Sequence, residues 1–347
     1  MPELQYLTSP PAGVAGVGSV GEVGDDELAM AAEKVRYKRE MTADFGFYPL
    51  RLDTDNGRFQ IKTCDDFESI VKAVRSNPFV EGDWIYSPPS ESYAFGTDSI
   101  RVRPYSSRVF GLLNTHTLSH QTNDPVRLRF LIWCFGFFVG MRMSDREAGF
   151  LDATPIKPGA SNDIVWLGNS LMIALATADD FFTANATAPK IERVIRAAMH
   201  SYLASDVPTL LDYERFIHLY TAIDACYAAQ EIIAGQPKTK VAHAERIAYL
   251  CEELGLPVPW WANRNSRFIA TQRNQTLHEG LFFGEPWGFS IFGRAHHTDP
   301  KQQILLLEMQ KLTCRIVIAL LGVQDREYLT SSVSDRQRHG LRLKQKA

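Results

Sequence analysis

The chain has 347 residues, 45% of them hydrophobic and 22% charged, so it can bury the core of one large domain or two ordinary ones. Its formal net charge of −3 argues against a protein that binds DNA through bulk positive charge, yet it is compatible with one local basic site that holds RNA. The five cysteines are far apart and form no CxxC pair, which is typical of a reducing cytoplasm and argues against a disulfide framework.

Residues 1–24 are rich in Gly, Val and Ala, and we expect them to be a flexible segment. They contain a formal GxGxxG, Gly16 to Gly21, but no strand pattern precedes it, so a nucleotide-binding loop is the minority interpretation. Met1–Tyr6 lacks a basic start followed by an apolar core, which favours a cytoplasmic protein without a signal peptide.

Residues 25–186 predict a mixed α+β domain of unknown role. Its strand candidates are Phe47–Leu52, Arg58–Lys62, Trp84–Tyr86, Ile100–Arg103 and Ile164–Leu167. Its helix candidates are Cys64–Arg75, Val126–Met143 and Ser170–Phe182. The first two strands flank Asp55-Asn56-Gly57, which predicts a hairpin turn. The apolar run Phe130–Met141 is too short to cross a bilayer of about 30 Å, so it predicts a buried core helix rather than a membrane-inserted one.

Two pairs of histidines are possible metal ligands. His116 and His120 are four residues apart, a spacing that places two imidazoles on one face of a helix, but no third ligand is nearby and an ordinary polar segment is the favoured interpretation. His296 and His297 lie in a predicted loop and are less specific.

Beyond the weak link Thr183–Pro189, the pattern changes to helices with short connections, which predicts an antiparallel bundle over residues 187–325. The predicted helices are Pro189–Ala204, Pro208–Ala234, Val241–Leu254, Pro259–Glu279 and Lys301–Leu321. An apolar stripe in the second of them, from Phe216 to Tyr227, includes Asp224. Residues 326–347 form a basic C-terminal tail, which we expect to be solvated.

The most informative segment is Arg273-Asn274-Gln275-Thr276-Leu277-His278, followed by Glu279 and Gly280. Arg offers a planar fork for phosphate oxygens, and His exchanges protons near neutral pH. On an ideal helix Asn274 and His278 share one face, and Gly280 predicts the end of the helix. Arg273 and His278 diverge on such a helix, although the long Arg273 side chain can bring its guanidinium round to a shared pocket. The plain alternative is that cations simply favour a helix C-terminus.

These residues resemble the HEPN (higher eukaryotes and prokaryotes nucleotide-binding) family, in particular its abortive-infection and Apea-like ribonucleases. The family motif is an Arg, four to six residues and a His, commonly with Asn after the Arg, and Arg273-Asn274 to His278 matches it. Arg215 to Asp224 is similar to an earlier helix of the family, with Asp224 where Glu is usual. The resemblance covers roughly residues 189–323, the C-terminal half only.

The resemblance implies an α+β chain, in which an N-terminal mixed α/β domain is followed by a C-terminal all-α HEPN helical bundle. It implies a metal-independent endoribonuclease without a cofactor, in which attack by an RNA 2′-hydroxyl gives 2′,3′-cyclic phosphate and 5′-hydroxyl ends. His278 would move the proton, Arg273 would stabilise phosphate charge, and Asn274 would position one or the other. Asp224 is either a supporting residue that orients the Arg or the His, or a half-exposed carboxylate with no such role.

The implied partners are an RNA substrate, a second copy of the chain joined through the bundle, and a regulatory protein or trigger at the N-terminal domain; no membrane is implied. Because Arg273 and His278 are expected to diverge, a site assembled from two chains is also expected. The favoured function is an RNase effector of antiphage defence or of a toxin system. The alternatives are a non-catalytic HEPN module that dimerises and binds nucleotides or a partner, and a helical interaction domain whose likeness to the family is accidental.

Overall fold

Sheets occupy the first part of the chain and helices the later part. The computed structural model describes residues 41–93, 100–106, 109–145, 150–151, 153–159, 161–235, 241–286 and 300–344. The strands are β1 (Met41–Phe45), β2 (Thr54–Asp55), β3 (Phe59–Thr63), β4 (Val80–Glu81), β5 (Trp84–Tyr86), β6 (Pro89–Tyr93), β7 (Ile100–Ser106), β8 (Val109–Phe110), β9 (His116–His120), β10 (Phe150–Leu151), β11 (Ala153–Pro155), β12 (Ile164–Trp166), β13 (Leu281–Phe282), β14 (Glu285–Pro286) and β15 (His339–Leu341). The helices are α1 (Phe67–Arg75), α2 (Pro125–Phe138), α3 (Ser170–Ala184), α4 (Pro189–Ala204), α5 (Asp212–Ile233), α6 (Arg246–Glu253), α7 (Phe268–Asn274), α8 (Pro300–Leu320) and α9 (Arg326–Thr330). The fold is therefore mixed, as the sequence predicts.

The main sheet has four antiparallel strands in the order β1-β9-β3-β2. Strand β9 is central, and its His120 lies opposite Met41 of β1 and Phe59 of β3. Alternate residues of β9 point into the core, and α1 buries one apolar face, from Phe67 to Val74. The hairpin around Asp55-Asn56-Gly57 is confirmed, with Gly57 at φ 81°.

One prediction in this region is wrong: Phe47–Leu52 is not a strand, since the sheet pairs β1 with β9 instead. His116 and His120 lie on a strand and are about 13 Å apart along it, which contradicts the minority interpretation of a metal pair on one helix face. Both imidazoles are buried, so two core positions of the strand hold polar residues. The alternation of apolar and polar residues that predicts a strand is therefore missing from the sequence. The alternative pair, His296 and His297, lies outside the described residues, as does the Gly16–Gly21 segment.

Helix α2 is the predicted core helix, and it is buried on nearly all sides, from Leu128 to Phe138. It begins where Pro125 occupies the first turn and the Asp124 carboxylate accepts from the backbone N–H of Val126 (2.9 Å) and Arg127 (3.2 Å). The helix packs against α3, α4 and β1. Since α3 precedes residue 186 and α4 follows it, α2 packs across the predicted domain boundary. That boundary therefore stays a prediction.

Helices α4, α5 and α8 pack against one another. The range Pro189–Ala204 is confirmed for α4. Helix α5 begins at Asp212 and not at Pro208, because the Glu214 carboxylate accepts from the Leu211 N–H (2.8 Å) and fixes the first turn there.

The C-terminal segment is solvated only in part: its basic residues Arg336, Arg338, Arg342 and Lys344 are exposed, whereas the strand between them packs on the core. Strand β15 pairs in parallel with β12, and Leu341 is fully buried. The Lys311 ammonium, itself buried, donates to Asp335 Oδ1 at 2.8 Å and so holds the chain that leads into β15. Basic residues flank the short strand β15, and for this reason the sequence pattern did not predict it.

Candidate functional site

The motif helix is interrupted before it reaches the motif. The predicted helix Pro259–Glu279 is wrong as one element: Trp260–Ala262 is a separate turn of 3₁₀ helix, and α7 begins only at Phe268. Polar side chains cause the break, because Asn263 Oδ1 accepts from the Asn265 N–H (3.0 Å) and Ser266 Oγ accepts from the Phe268 N–H (3.2 Å). Helix α7 is therefore a short element that carries the motif at its end.

The second half of the motif is a π-helix, Gln275–Glu279, which continues α7. The buried Thr276 hydroxyl donates to the Gln272 carbonyl at 2.7 Å, one turn earlier. Gly280, at φ 69°, ends the element as the sequence predicts, and its N–H donates to the Gln275 carbonyl five residues back. Residues five apart come closer together in a π-turn than in an α-helix, because each turn contains more residues.

This local geometry brings the motif side chains together. Arg273 Nη1 donates to Asn274 Oδ1 at 3.0 Å and lies 3.0 Å from His278 Nε2. A guanidinium only donates, so Nε2 is the acceptor in this contact. Asn274 and His278 are exposed, whereas Arg273 is half-buried. The prediction that Arg273 and His278 diverge is wrong, because it assumed an α-helical turn.

Helix α5 supplies the neighbouring surface through Tyr220. Burial, together with the Asp224 carboxylate, raises the pKa of the Tyr220 phenol to about 12, while the cations of Arg273 and Arg246 act to lower it. The Tyr220 phenol therefore lies within electrostatic reach of both arginines. The buried Arg273 Nε has no hydrogen-bond partner within the described part of the chain.

Asp224 lies in this surface, but its ion pairs are with residues other than the motif. Its carboxylate contacts Arg246 Nη1 at 2.9 Å and His243 Nδ1 at 3.9 Å. The Arg246 guanidinium also lies over the Tyr227 ring, 4.7 Å from its centroid. The structure thus pairs Asp224 with α6, and it does not supply the direct contact with Arg273 that the supporting role requires. Arg246 was missed, since a single Arg within the predicted helix Val241–Leu254 gives no pattern; the observed helix α6 begins at Arg246.

Gln272 is a second residue that the sequence reasoning missed. It is buried, and its Oε1 accepts from the Phe283 N–H at 3.2 Å, which ties the β13–β14 hairpin to the motif helix. Phe283 (φ 54°) and Gly284 (φ 77°) both have the left-handed backbone that a two-residue hairpin turn requires. A polar residue three positions after the buried Ile269 was the available signal.

Comparison with protein-family models, with curated proteins and with solved structures finds no match for this chain. Among the residues described, none of the helices has the length and apolar character needed to cross a bilayer. In the same residues, His, Cys, Asp and Glu side chains form no group of three that is arranged to hold a metal ion.

Proposed function

We propose that the chain is an endoribonuclease of the HEPN type, with the helices of residues 187–325 as the HEPN bundle and Arg273, Asn274 and His278 as its catalytic residues. The observation that carries the proposal is the 3.0 Å contact between Arg273 Nη1 and His278 Nε2. A guanidinium is suited to binding phosphate and an imidazole can act as a base, so two groups that this reaction needs are in contact. The family resemblance of the motif supplies the reaction class.

In the proposed reaction, the His278 imidazole takes the proton of an RNA 2′-hydroxyl through Nε2. The 2′-oxygen then attacks the adjacent phosphorus, the bond from phosphorus to the 5′-oxygen breaks, and a 2′,3′-cyclic phosphate forms. Arg273 stabilises the negative charge that gathers on the phosphate oxygens, and Asn274 holds the guanidinium through its Oδ1. No metal takes part in these steps.

Substrate binding must change the contacts of Arg273. In the structure the guanidinium covers the Nε2 lone pair that the base needs. A phosphate, which is anionic, competes for the same N–H donors. When the phosphate takes them, Nε2 is released beside the 2′-hydroxyl, so the base becomes available only when RNA is bound.

We further propose a homodimer that joins through the bundle. The leaving 5′-oxygen needs a proton, and it departs on the side of phosphorus opposite the attacking 2′-oxygen, away from the His278 that holds the 2′-hydroxyl proton. A second copy supplies a second imidazole near the same phosphodiester, and water is the alternative donor. Because Arg273 and His278 already meet within one chain, the dimer is proposed as the source of the acid and not of the Arg–His pair.

Cleavage of mixed RNAs by the purified full chain tests the proposal. Arg273→Ala and His278→Asn are expected to lower the cleavage rate by about 100-fold or more, since each removes a group that acts in the transition state. The wild type should give 2′,3′-cyclic phosphate ends with EDTA present as well as without it. Product ends are identified by mass spectrometry, and thermal unfolding shows that the variants are folded.

Arg75→Ala is the matched control, because Arg75 is an exposed arginine in the last turn of α1 and lies outside the motif. It should cleave as the wild type does. Folded dimers that leave every RNA intact would contradict the nuclease and would favour the non-catalytic HEPN module. Loss of cleavage in EDTA would contradict the metal-independent mechanism.

For the cellular role, we propose a cytoplasmic toxin or antiphage effector whose residues 25–186 respond to a trigger or bind a regulatory protein. The resemblance of the motif to abortive-infection proteins supports this part. Expression of the wild type is then expected to stop cell growth, and His278→Asn should restore it.

A further inference from the structure

Arg142 lies shortly after the end of α2 and is a half-buried cation. Its Nε is buried and has no hydrogen-bond partner within the residues that the structure describes. Burial lowers the pKa of its guanidinium to about 10, and no carboxylate of the described chain offsets this effect. A buried charge costs free energy unless an opposite charge or hydrogen-bond acceptors compensate it. The surroundings of Arg142 therefore favour an anion beside it.

Two imidazoles lie near this guanidinium. The Arg142 guanidinium carbon is 5.6 Å from the ring centroid of Trp133 in α2, and the Trp133 ring centroid is 6.1 Å from that of His200 in α4. Burial, together with the neighbouring Arg142 and His218 of α5, lowers the pKa of His200 to about 4. We call Arg142, His200 and His218 the basic cluster. Each of the three is partly exposed, so a ligand can reach them from solvent.

Carboxylates of the neighbouring chain segments have other partners. Asp145 accepts from Arg129 Nε at 3.2 Å, and Glu192 of α4 accepts from Arg196 Nη2 at 3.1 Å. The Glu214 carboxylate accepts from a backbone N–H in the first turn of α5, at 2.8 Å. Two of these carboxylates are thus neutralised by arginines outside the basic cluster, and the third caps a helix.

We propose that the basic cluster binds the phosphate group of a small ligand. The Arg142 guanidinium supplies the positive charge and a planar fork for the phosphate oxygens. His200 is neutral at pH 7, and its imidazole then keeps one N–H that donates to an oxyanion. Because the three side chains belong to α4, to α5 and to the segment after α2, a bound phosphate joins these elements. The inference does not depend on the proposed nuclease, since none of the motif residues takes part.

Phosphate binding to the Arg273→Ala chain tests the proposal, because this variant removes the phosphate contact that we assign to the motif. Histidine-labelled protein is titrated with sodium phosphate, or with sodium chloride at the same ionic strength and pH, and NMR follows the imidazole signals. Phosphate is expected to shift the signals of His200 and His218 in a saturable way, whereas the signal of the core residue His116 should stay in place. At saturating phosphate the unfolding temperature should lie about 2 °C or more above that in chloride.

Two substitutions of Arg142 in the same chain show whether its guanidinium holds the phosphate. Arg142→Met keeps the length of the side chain but removes its charge, so phosphate should then shift neither the two imidazole signals nor the unfolding temperature. Arg142→Lys keeps the charge without the fork and should bind phosphate about ten-fold more weakly, which corresponds to the loss of one charge-assisted hydrogen bond. The Lys variant also serves as the test if the Met variant does not fold.

Arg246→Met is the matched control. Arg246 also lies over an aromatic ring, that of Tyr227, and its Nε is buried, but the Asp224 carboxylate at 2.9 Å compensates its charge. Its replacement should leave the response to phosphate unchanged.

Imidazole signals of His200 and His218 that do not move at any phosphate concentration would overturn the proposal. A response that survives Arg142→Met, or one that sodium acetate reproduces in full, would overturn it as well. Loss of the phosphate site would leave the nuclease standing, and a wild type that cuts no RNA would leave the phosphate site standing, because the two are measured on different residues.

Discussion

Two histidines of this chain show how surroundings decide what one side chain does. His278 is exposed, and its Nε2 accepts from a guanidinium. His116 is fully buried among the rings of Phe45, Tyr48 and Phe67, with its Nδ1 2.9 Å from Thr115 Oγ1. Burial lowers the pKa of His116 to about 4, so this imidazole is a neutral part of the core at pH 7.

The buried His116 makes stability depend on pH. Its pKa lies below the ordinary value of 6.5, so between about pH 6.5 and pH 4 the unfolded chain binds more protons than the folded one. The stabilising contribution is present in full above that range and is lost as the pH falls through it, by about 3 kcal/mol. Urea unfolding of the wild type and of His116→Asn at pH 7 and pH 4.5 measures this. The variant should lose a smaller part of its free energy of unfolding between the two pH values; an identical loss would contradict the assignment.

At the scale of elements, the π-turn at Gln275–Glu279 decides whether the motif forms a site. It sets the offset between Arg273 and His278, and the buried Thr276 hydroxyl donates to the Gln272 carbonyl within it. The hairpin that follows is tied to the same Gln272 through the Phe283 N–H. The geometry of the Arg273–His278 contact therefore depends on groups outside these two side chains.

Thr276→Val tests this dependence. Val keeps the volume and the branched shape but removes the hydroxyl, so the unfolding free energy should fall by about 1 kcal/mol. If the hydroxyl helps to position His278, RNA cleavage should fall about ten-fold or more through kcat, because small misplacements of a reacting group are costly. Thr276→Ser, which keeps the hydroxyl, should retain most of the activity. Equal cleavage by Thr276→Val and the wild type would show that the hydroxyl has no positioning role.

Some of these elements follow from sequence and others do not. Helix α4 was predicted to the residue because Pro189 marks its first turn. The π-turn was not predicted, since it depends on a buried Thr and on the packing of the hairpin, and neither gives a periodic pattern. Strand β9 was missed because its buried positions hold His116 and His120, and strand β15 because its neighbours are basic. The sequence therefore named the motif residues, but it did not predict how they meet.

At the scale of the whole molecule, the structure changes what a dimer would have to provide. Divergent Arg273 and His278 side chains would require a site that takes each residue from a different chain. The contact within one chain removes that requirement. In the proposed mechanism the second copy then has only the proton donor to supply.

A mixed dimer decides whether Arg273 and His278 act within one chain or across two. Two differently tagged variants, Arg273→Ala and His278→Asn, are co-expressed, and the dimer that carries both tags is purified. If each chain must hold its own Arg and His, the mixed dimer contains no intact pair and should cleave RNA no faster than either parent variant. A mixed dimer of the wild type and Arg273→Ala, prepared in the same way, keeps one intact Arg–His pair and the partner imidazole, and it shows that one intact chain is detectable. Recovery of about a quarter or more of the wild-type rate in the dimer of the two single variants would mean that Arg273 of one chain works with His278 of the other, and the site described above would be wrong.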